Sequence, residues 1–136
     1  MTTSRFFLCA LPLLAAILLA GCDFNPGADR TGCDGFIEVL RTLPDTTLVE
    51  DGPPLMQELE GEEPFFRHTE GKRLTYRASD TSTPAFTVST SVVGASAATL
   101  RVIPTKVGMA KVIVRAQDDC QKEASFSFNV EVIPGE

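Results

Sequence analysis

Ala124-Ser125-Phe126-Ser127-Phe128-Asn129-Val130-Glu131-Val132 alternates without a slip. Ala124, Phe126, Phe128, Val130 and Val132 share one face, and Ser125, Ser127, Asn129 and Glu131 share the other. Successive side chains of a β-strand project to opposite faces, so this stretch specifies a strand with one dry and one wet side. Such a strand needs a covering layer for its apolar side.

The same period runs outward through the chain. In Met109–Ala116, Ala110, Val112, Val114 and Ala116 line up opposite Lys111 and Arg115. Between Ala98 and Ile103, Leu100 and Val102 form a face. Phe86–Val92 puts Phe86, Val88 and Val92 together with Thr90, and Arg73–Ala78 puts Leu74, Tyr76 and Ala78 together. Earlier, Thr46–Glu50 and Leu55–Leu59 read as short strands around the Asp51-Gly52-Pro53-Pro54 turn, because Gly and two prolines do not fit a central ladder. Phe36–Leu43 reads as a first strand or a short helix, with strand preferred, and Glu60–Pro64 as an acidic loop before Phe65 and Phe66, one or both of them buried. Gly, Pro, Asp and Ser clusters punctuate the strands, and no amphipathic helix of ordinary length competes. Short strands wet on one face bury their apolar sides against a second sheet, which predicts an all-β sandwich of about seven strands.

The N-terminus has a different grammar. Residues 1–5 are polar with Arg5 the only charge, and Phe6 to Ala20 are apolar or small throughout. That run matches the core of a signal peptide and is short for a bilayer span, which takes roughly 20 apolar residues. It closes on Leu19-Ala20-Gly21-Cys22. Small residues suit a peptidase pocket, and a thiol suits thioether formation with diacylglycerol. The box resembles that of bacterial lipoproteins, in which the cysteine is acylated and becomes the first mature residue. An ordinary secretory signal with a chance cysteine, or a short membrane anchor, are the competing readings. The predicted organisation is a signal peptide over 1–21, a lipidated tether over 22–35 with Asn25-Pro26-Gly27 at its centre, and a β domain over 36–136. The location implied is a bacterial cell envelope, on a membrane held through lipid on Cys22. Asp23 resembles the inner-membrane retention signal of enteric bacteria, which leaves the choice of membrane open.

Of the 136 residues, 115 remain after a 21-residue leader, enough for one domain. The formal charge is −6 and falls to −7 when Arg5 leaves. An acidic chain with scattered lysines and arginines argues against nucleic acid as a partner and against electrostatic docking on anionic lipid. Of four cysteines, Cys9 goes with the leader and Cys22 to lipid, leaving Cys33 and Cys120. In an oxidising compartment two thiols in a small domain favour a disulfide over two free thiols. Zinc normally takes four ligands, and the chain has a single histidine.

Phe66-Arg67-His68-Thr69-Glu70-Gly71-Lys72-Arg73-Leu74-Thr75-Tyr76 resembles the Phe-x-Asp-x-Asp-Gly-Asp-x-Leu-Thr-Tyr signature of dystroglycan-type, cadherin-like Ig-fold modules. Leu100-Arg101-Val102, Pro104, Gly108 and Val112-Ile113-Val114-Arg115-Ala116-Gln117-Asp118 look like the second half of such a module. The resemblance covers residues 44–133 and implies a Greek-key Ig-like sandwich serving as a structural, adhesive or protein-binding unit, with another envelope protein as partner. Such modules often bind calcium. Here His68 and Lys72 stand where Asp is usual, and Glu70 alone keeps a carboxylate. Glu50, Asp51, Asp118 and Asp119 are further calcium candidates, as a smaller cluster at one end of the sandwich, although solvated loop carboxylates are the favoured reading. Otherwise no cofactor is implied. A disulfide at Cys120 would pin a turn that is ordinarily flexible.

No catalytic constellation emerges. Nothing resembles a nucleophile elbow, and His68, beside Arg67, is expected to be an exposed loop histidine. Glu58, Glu60, Glu62 and Glu63 read as a solvated loop rather than paired acid–base groups. There is no phosphate-cradling glycine loop. Tryptophan is absent and Tyr76 fits the core pattern, so sugar stacking on an aromatic face finds little support. The reading is of a non-enzymatic module, with a calcium- or small-ligand-binding adhesive lipoprotein as the alternative.

Overall fold

The computed structural model describes residues 32–94 and 97–136. The leader, Cys22 and residues 23–31 of the expected tether lie outside the described residues. Nine strands are present among those described, and no helix long and apolar enough to cross a membrane. They are β1 (Ile37–Val39), β2 (Thr46–Val49), β3 (Leu55–Glu58), β4 (Phe66–His68), β5 (Thr75–Thr83), β6 (Val88–Val93), β7 (Thr99–Pro104), β8 (Gly108–Gln117) and β9 (Glu123–Ile133).

β8 and β9 are the spine. Their alternation is kept in full: Val112 and Val114 on β8, and Val130 and Val132 on β9, are 0–1% exposed, while Lys111, Arg115, Asn129 and Glu131 face water. The two pair antiparallel over ten residues, from Gly108↔Val132 to Gln117↔Glu123. β5 adds antiparallel to the far edge of β8, and β2 adds parallel to the far edge of β9, giving the order β2-β9-β8-β5. The second sheet is β3-β7-β6, all antiparallel. Leu100 and Val102 of β7 and Val88 of β6 supply its inward face. These two sheets make the Ig-like Greek-key sandwich with the seven strands expected; β1 and β4 form a separate antiparallel ribbon. Full burial of each of these valines and leucines contributes about 1.5–3 kcal/mol, and the sum over both faces drives the fold.

One end of the core is aromatic. The Phe126 ring stacks at 5.4 Å on both Phe65 and Phe66, and Phe128 lies 6.4 Å away. Arg41 caps Phe65 from outside, its guanidinium 4.1 Å above the ring. A cation over an aromatic face contributes about 0.5–1 kcal/mol where partly exposed. Both members of Phe65-Phe66 are therefore used, as the sequence predicts.

Two expectations need correction. β5 runs on to Thr83, well past Ala78, because its polar continuation satisfies itself: Ser82 Oγ donates to Asp80 Oδ2 at 2.7 Å, and Thr90 Oγ1 on β6 donates to Asp80 Oδ1 at 3.0 Å. Phe86 is not part of β6. It is 81% exposed on the turn before it, with φ +66°. Pro84 cannot donate to a ladder, so the strand cannot begin until the turn is complete at Val88.

Candidate functional site

A buried polar cluster sits where β4 meets the β8–β9 turn. His68 follows Phe66 at a spacing of two and so shares its inward face. It is buried, not an exposed loop residue as expected; its side chain and that of Asp118 are 0% and 1% exposed. The His68 Nε2 atom lies 3.2 Å from Asp118 Oδ2. Its Nδ1 accepts the Glu70 N–H at 3.1 Å, so the ring proton sits on Nε2 and is donated to the carboxylate. Asp118 Oδ1 meanwhile accepts the backbone N–H groups of Cys120 and Lys122 at 2.9 and 2.8 Å. Burial works to raise the Asp118 pKa. The hydrogen bonds from the Lys122 and Cys120 backbone and from His68 outweigh it and hold the carboxyl below its ordinary value of 3.8.

This turn grips the start of the domain. Cys33 and Cys120 form a disulfide, with their Cα atoms 5.6 Å apart. Lys122 Nζ donates to the Cys33 and Gly35 carbonyls, the latter at 2.6 Å. Residues 33–35, expected within the tether, are therefore fastened to the sandwich. Gly35 makes the close approach possible: with φ +79°, a Cβ there would meet Thr69 Oγ1 at 2.7 Å and His68 Cε1 at 2.9 Å. Lys72 Nζ adds a positive charge 3.7 Å from Glu70 and 4.0 Å from Asp119 and from the Cys120 sulfur.

The chemistry available here is restricted. Both nitrogens of His68 are committed, and neither side chain of the His68–Asp118 pair reaches solvent. A general base has to lie within hydrogen-bond reach of a substrate proton, and this pair does not. The carboxylates expected at one end are divided between two. Glu70, Asp118 and Asp119 lie at the β8–β9 turn. Glu50 and Asp51 follow β2, whose Val49 pairs with Ile133 at the far end of β9, and Glu50 Oε1 accepts the Val107 N–H there. The ten residues of β8 separate the groups by about 33 Å, so the five cannot share one ion. Asp118, Asp119 and Cys120 come within 4.8 Å of one another, but the Cys120 sulfur is in the disulfide and Asp118 already accepts three donors.

Tyr76 keeps the half-buried place its period implies. Burial, and then the charge and hydrogen bond of Glu60, push its phenol well above the ordinary value. Sequence reasoning missed Lys122 and the inward turn of His68. The buried–exposed–buried pattern of Phe66-Arg67-His68 is seen only once β4 is placed. Lys122 carries no sequence signal, because its role depends on where Cys33 returns in space.

No family model matches the chain, and no curated protein sequence matches it. Among solved structures it is similar to the crystal structure of the S-layer protein SbsC domains 4 and 5, at 14% identity and a TM-score of 0.49 over 74% of this chain. It spans 54% of that chain. The solution structure of the PKD domain from KIAA 1837 protein is similar at 15% identity and a TM-score of 0.42, over 79% of this chain and 95% of that one. These are likenesses of fold; the Ig-like assignment itself rests on the strand pairing above.

Proposed function

We propose that this chain is a bacterial envelope lipoprotein, anchored by acyl chains on Cys22, that presents one Ig-like sandwich as a structural or protein-binding module. The observation that carries the reading is the Cys33–Cys120 disulfide. Such bonds persist in exported, oxidising compartments, and this one begins eleven residues after the cysteine of the lipidation box. It ties the domain's first residues down, so eleven residues of sequence separate the lipidation cysteine from the first fastened residue, a contour length of about 40 Å. The buried, committed histidine supports a non-enzymatic role. Assignment to the dystroglycan-type, cadherin-like modules is the finer part of the reading and rests on Phe66–Tyr76. The partner is another envelope protein, met at a loop end or by addition to a sheet edge such as β3.

The test is metabolic labelling with an alkyne analogue of palmitate in a bacterial host, wild type beside Cys22→Ala. Labelling and membrane retention of the wild type, both lost in Cys22→Ala, are expected, with the disulfide formed in each. An exported wild-type chain that takes up no label would overturn the anchor. Free thiols at Cys33 and Cys120 in the mature protein would overturn export.

A further inference from the structure

The turn between β5 and β6 holds an aromatic ring in water. Phe86 is 81% exposed, although burying such a ring is worth about 1.5–3 kcal/mol, and its φ of +66° is costly for a bulky side chain. The exposure does not come from slackness. Buried Thr87 donates its Oγ1 hydrogen to the Pro84 carbonyl at 2.7 Å. The Thr87 carbonyl accepts the N–H groups of Thr105 and Lys106 at 2.9 and 3.2 Å. Gly108 packs so closely below that a Cβ there would lie 2.6 Å from the Thr83 carbonyl oxygen and 2.7 Å from Thr87 Oγ1. Phe86 rides on a turn fixed at both ends, and folding alone gives no reason to put a phenyl ring there.

Beside the ring the sheets part. β5 pairs with β8, while β6 pairs with β7, so no ladder closes the gap between β5 and β6. The cleft there has a volume of about 480 Å³, within the usual range for small-ligand sites. Its lining mixes apolar Ala85, Phe86 and Val88 with polar Asp80, Ser82, Ser89, Thr90 and Thr105. The Asp80 carboxylate is aimed by the Ser82 and Thr90 hydroxyls, one on each oxygen, and each oxygen keeps accepting capacity.

These groups match one ligand chemistry. An exposed phenyl face takes the C–H face of a pyranose ring; a fixed carboxylate accepts from vicinal hydroxyls; the Ser82, Thr90 and Thr105 hydroxyls, whose protons are already donated, accept. The negative charge of Asp80 disfavours phosphorylated and uronic sugars. A protein anchor would want continuous apolar surface around the ring, and here Ala85 and Val88 are interleaved with hydroxyls and a carboxylate. We propose that the β5–β6 cleft binds a neutral glycan, with Phe86 as the stacking platform and Asp80 as the hydroxyl acceptor. The proposal does not depend on the lipid anchor.

The test uses the purified full chain in detergent micelles, titrated by calorimetry with maltohexaose, cellohexaose, chitohexaose and mannohexaose. Saturable binding of at least one is expected. Phe86→Ala and Asp80→Asn should each weaken it by about tenfold, the scale of a lost stacking or charge-assisted contact, and Phe86→Tyr should retain it. Melting temperatures of the Phe86 variants should match the wild type, because the ring is exposed. Absence of binding to all four, or binding untouched by Phe86→Ala, would overturn the assignment. So would a benzophenone amino acid at position 86 that crosslinks in cells to a protein and not to glycan.

Discussion

Removing the Cys33–Cys120 bond tests how this small domain is held together. The perturbation is the double change Cys33→Ala, Cys120→Ala, which leaves no free thiol. The bond closes a sequence separation of 87 residues. The loop-entropy relation assigns a loop of that length about 4.6 kcal/mol of unfolded-state constraint. The folded state should change little, because the β1–β4 ribbon and the Lys122 bonds to Cys33 and Gly35 still seat the N-terminal segment. The expected loss is therefore about 3–5 kcal/mol, a fifth or more of the stability of an ordinary domain. In a domain of this size that lowers the melting temperature by at least about 12 °C. Urea and thermal unfolding followed by circular dichroism measure both, and the urea m-value should rise because the unlinked chain exposes more surface. Lys122→Met is the internal comparison: it removes two charge-assisted bonds from the same segment without touching the covalent loop, and should cost about 1–3 kcal/mol at constant m. A double alanine variant that loses less than about 1 kcal/mol with an unchanged m-value would refute the reasoning.

Stability should fall on the acid side through Asp118. Its folded pKa lies below 3.8, so its contribution is complete above that value and drains as pH drops through the folded one; Asp118→Asn should flatten this limb below the ordinary carboxylate range in a urea titration. Asp45 acts in the same direction, lowered by the backbone and side-chain hydrogen bonds from Asn129, so a residual slope should persist. An unchanged slope in Asp118→Asn would remove the assignment. Calcium at millimolar concentration should leave the melting temperature unmoved, because the five candidate carboxylates are split between opposite ends; a rise of several degrees would show that a smaller subset suffices.

The alternation of β8 and β9 made the spine legible, since nothing but a half-buried strand satisfies nine residues of strict period two. The parallel addition of β2 to β9 was not legible. Thr46–Val49 is too short to name its neighbour, and its partner lies 84 residues on. Phe86 misled because periodicity reads side-chain chemistry and is blind to a proline two residues earlier that delays the ladder. The disulfide pair was open to elimination among four cysteines, whereas the His68–Asp118 bond joins residues 50 apart whose faces become known only when β4 is placed. The same distance defeated the calcium cluster. Carboxylates near turns are easily counted, but which end each turn occupies depends on strand direction.

The disulfide and the direction of β9 together set a path for mechanical load. A pull between residue 33 and the C-terminus passes straight across the sulfur bridge to residue 120, so the 87-residue span between them contributes no extensible length. Tension then enters β9 at its beginning and runs along the strand axis, with β8 on one side and parallel β2 on the other. Those ladders are loaded in shear, and many hydrogen bonds must fail at once for β9 to slide. Only the residues after Cys120 can pay out, about 55 Å at full extension. The domain is thus arranged as a short, stiff link between residue 33 and its last strand, with most of the fold outside the direct path of the load.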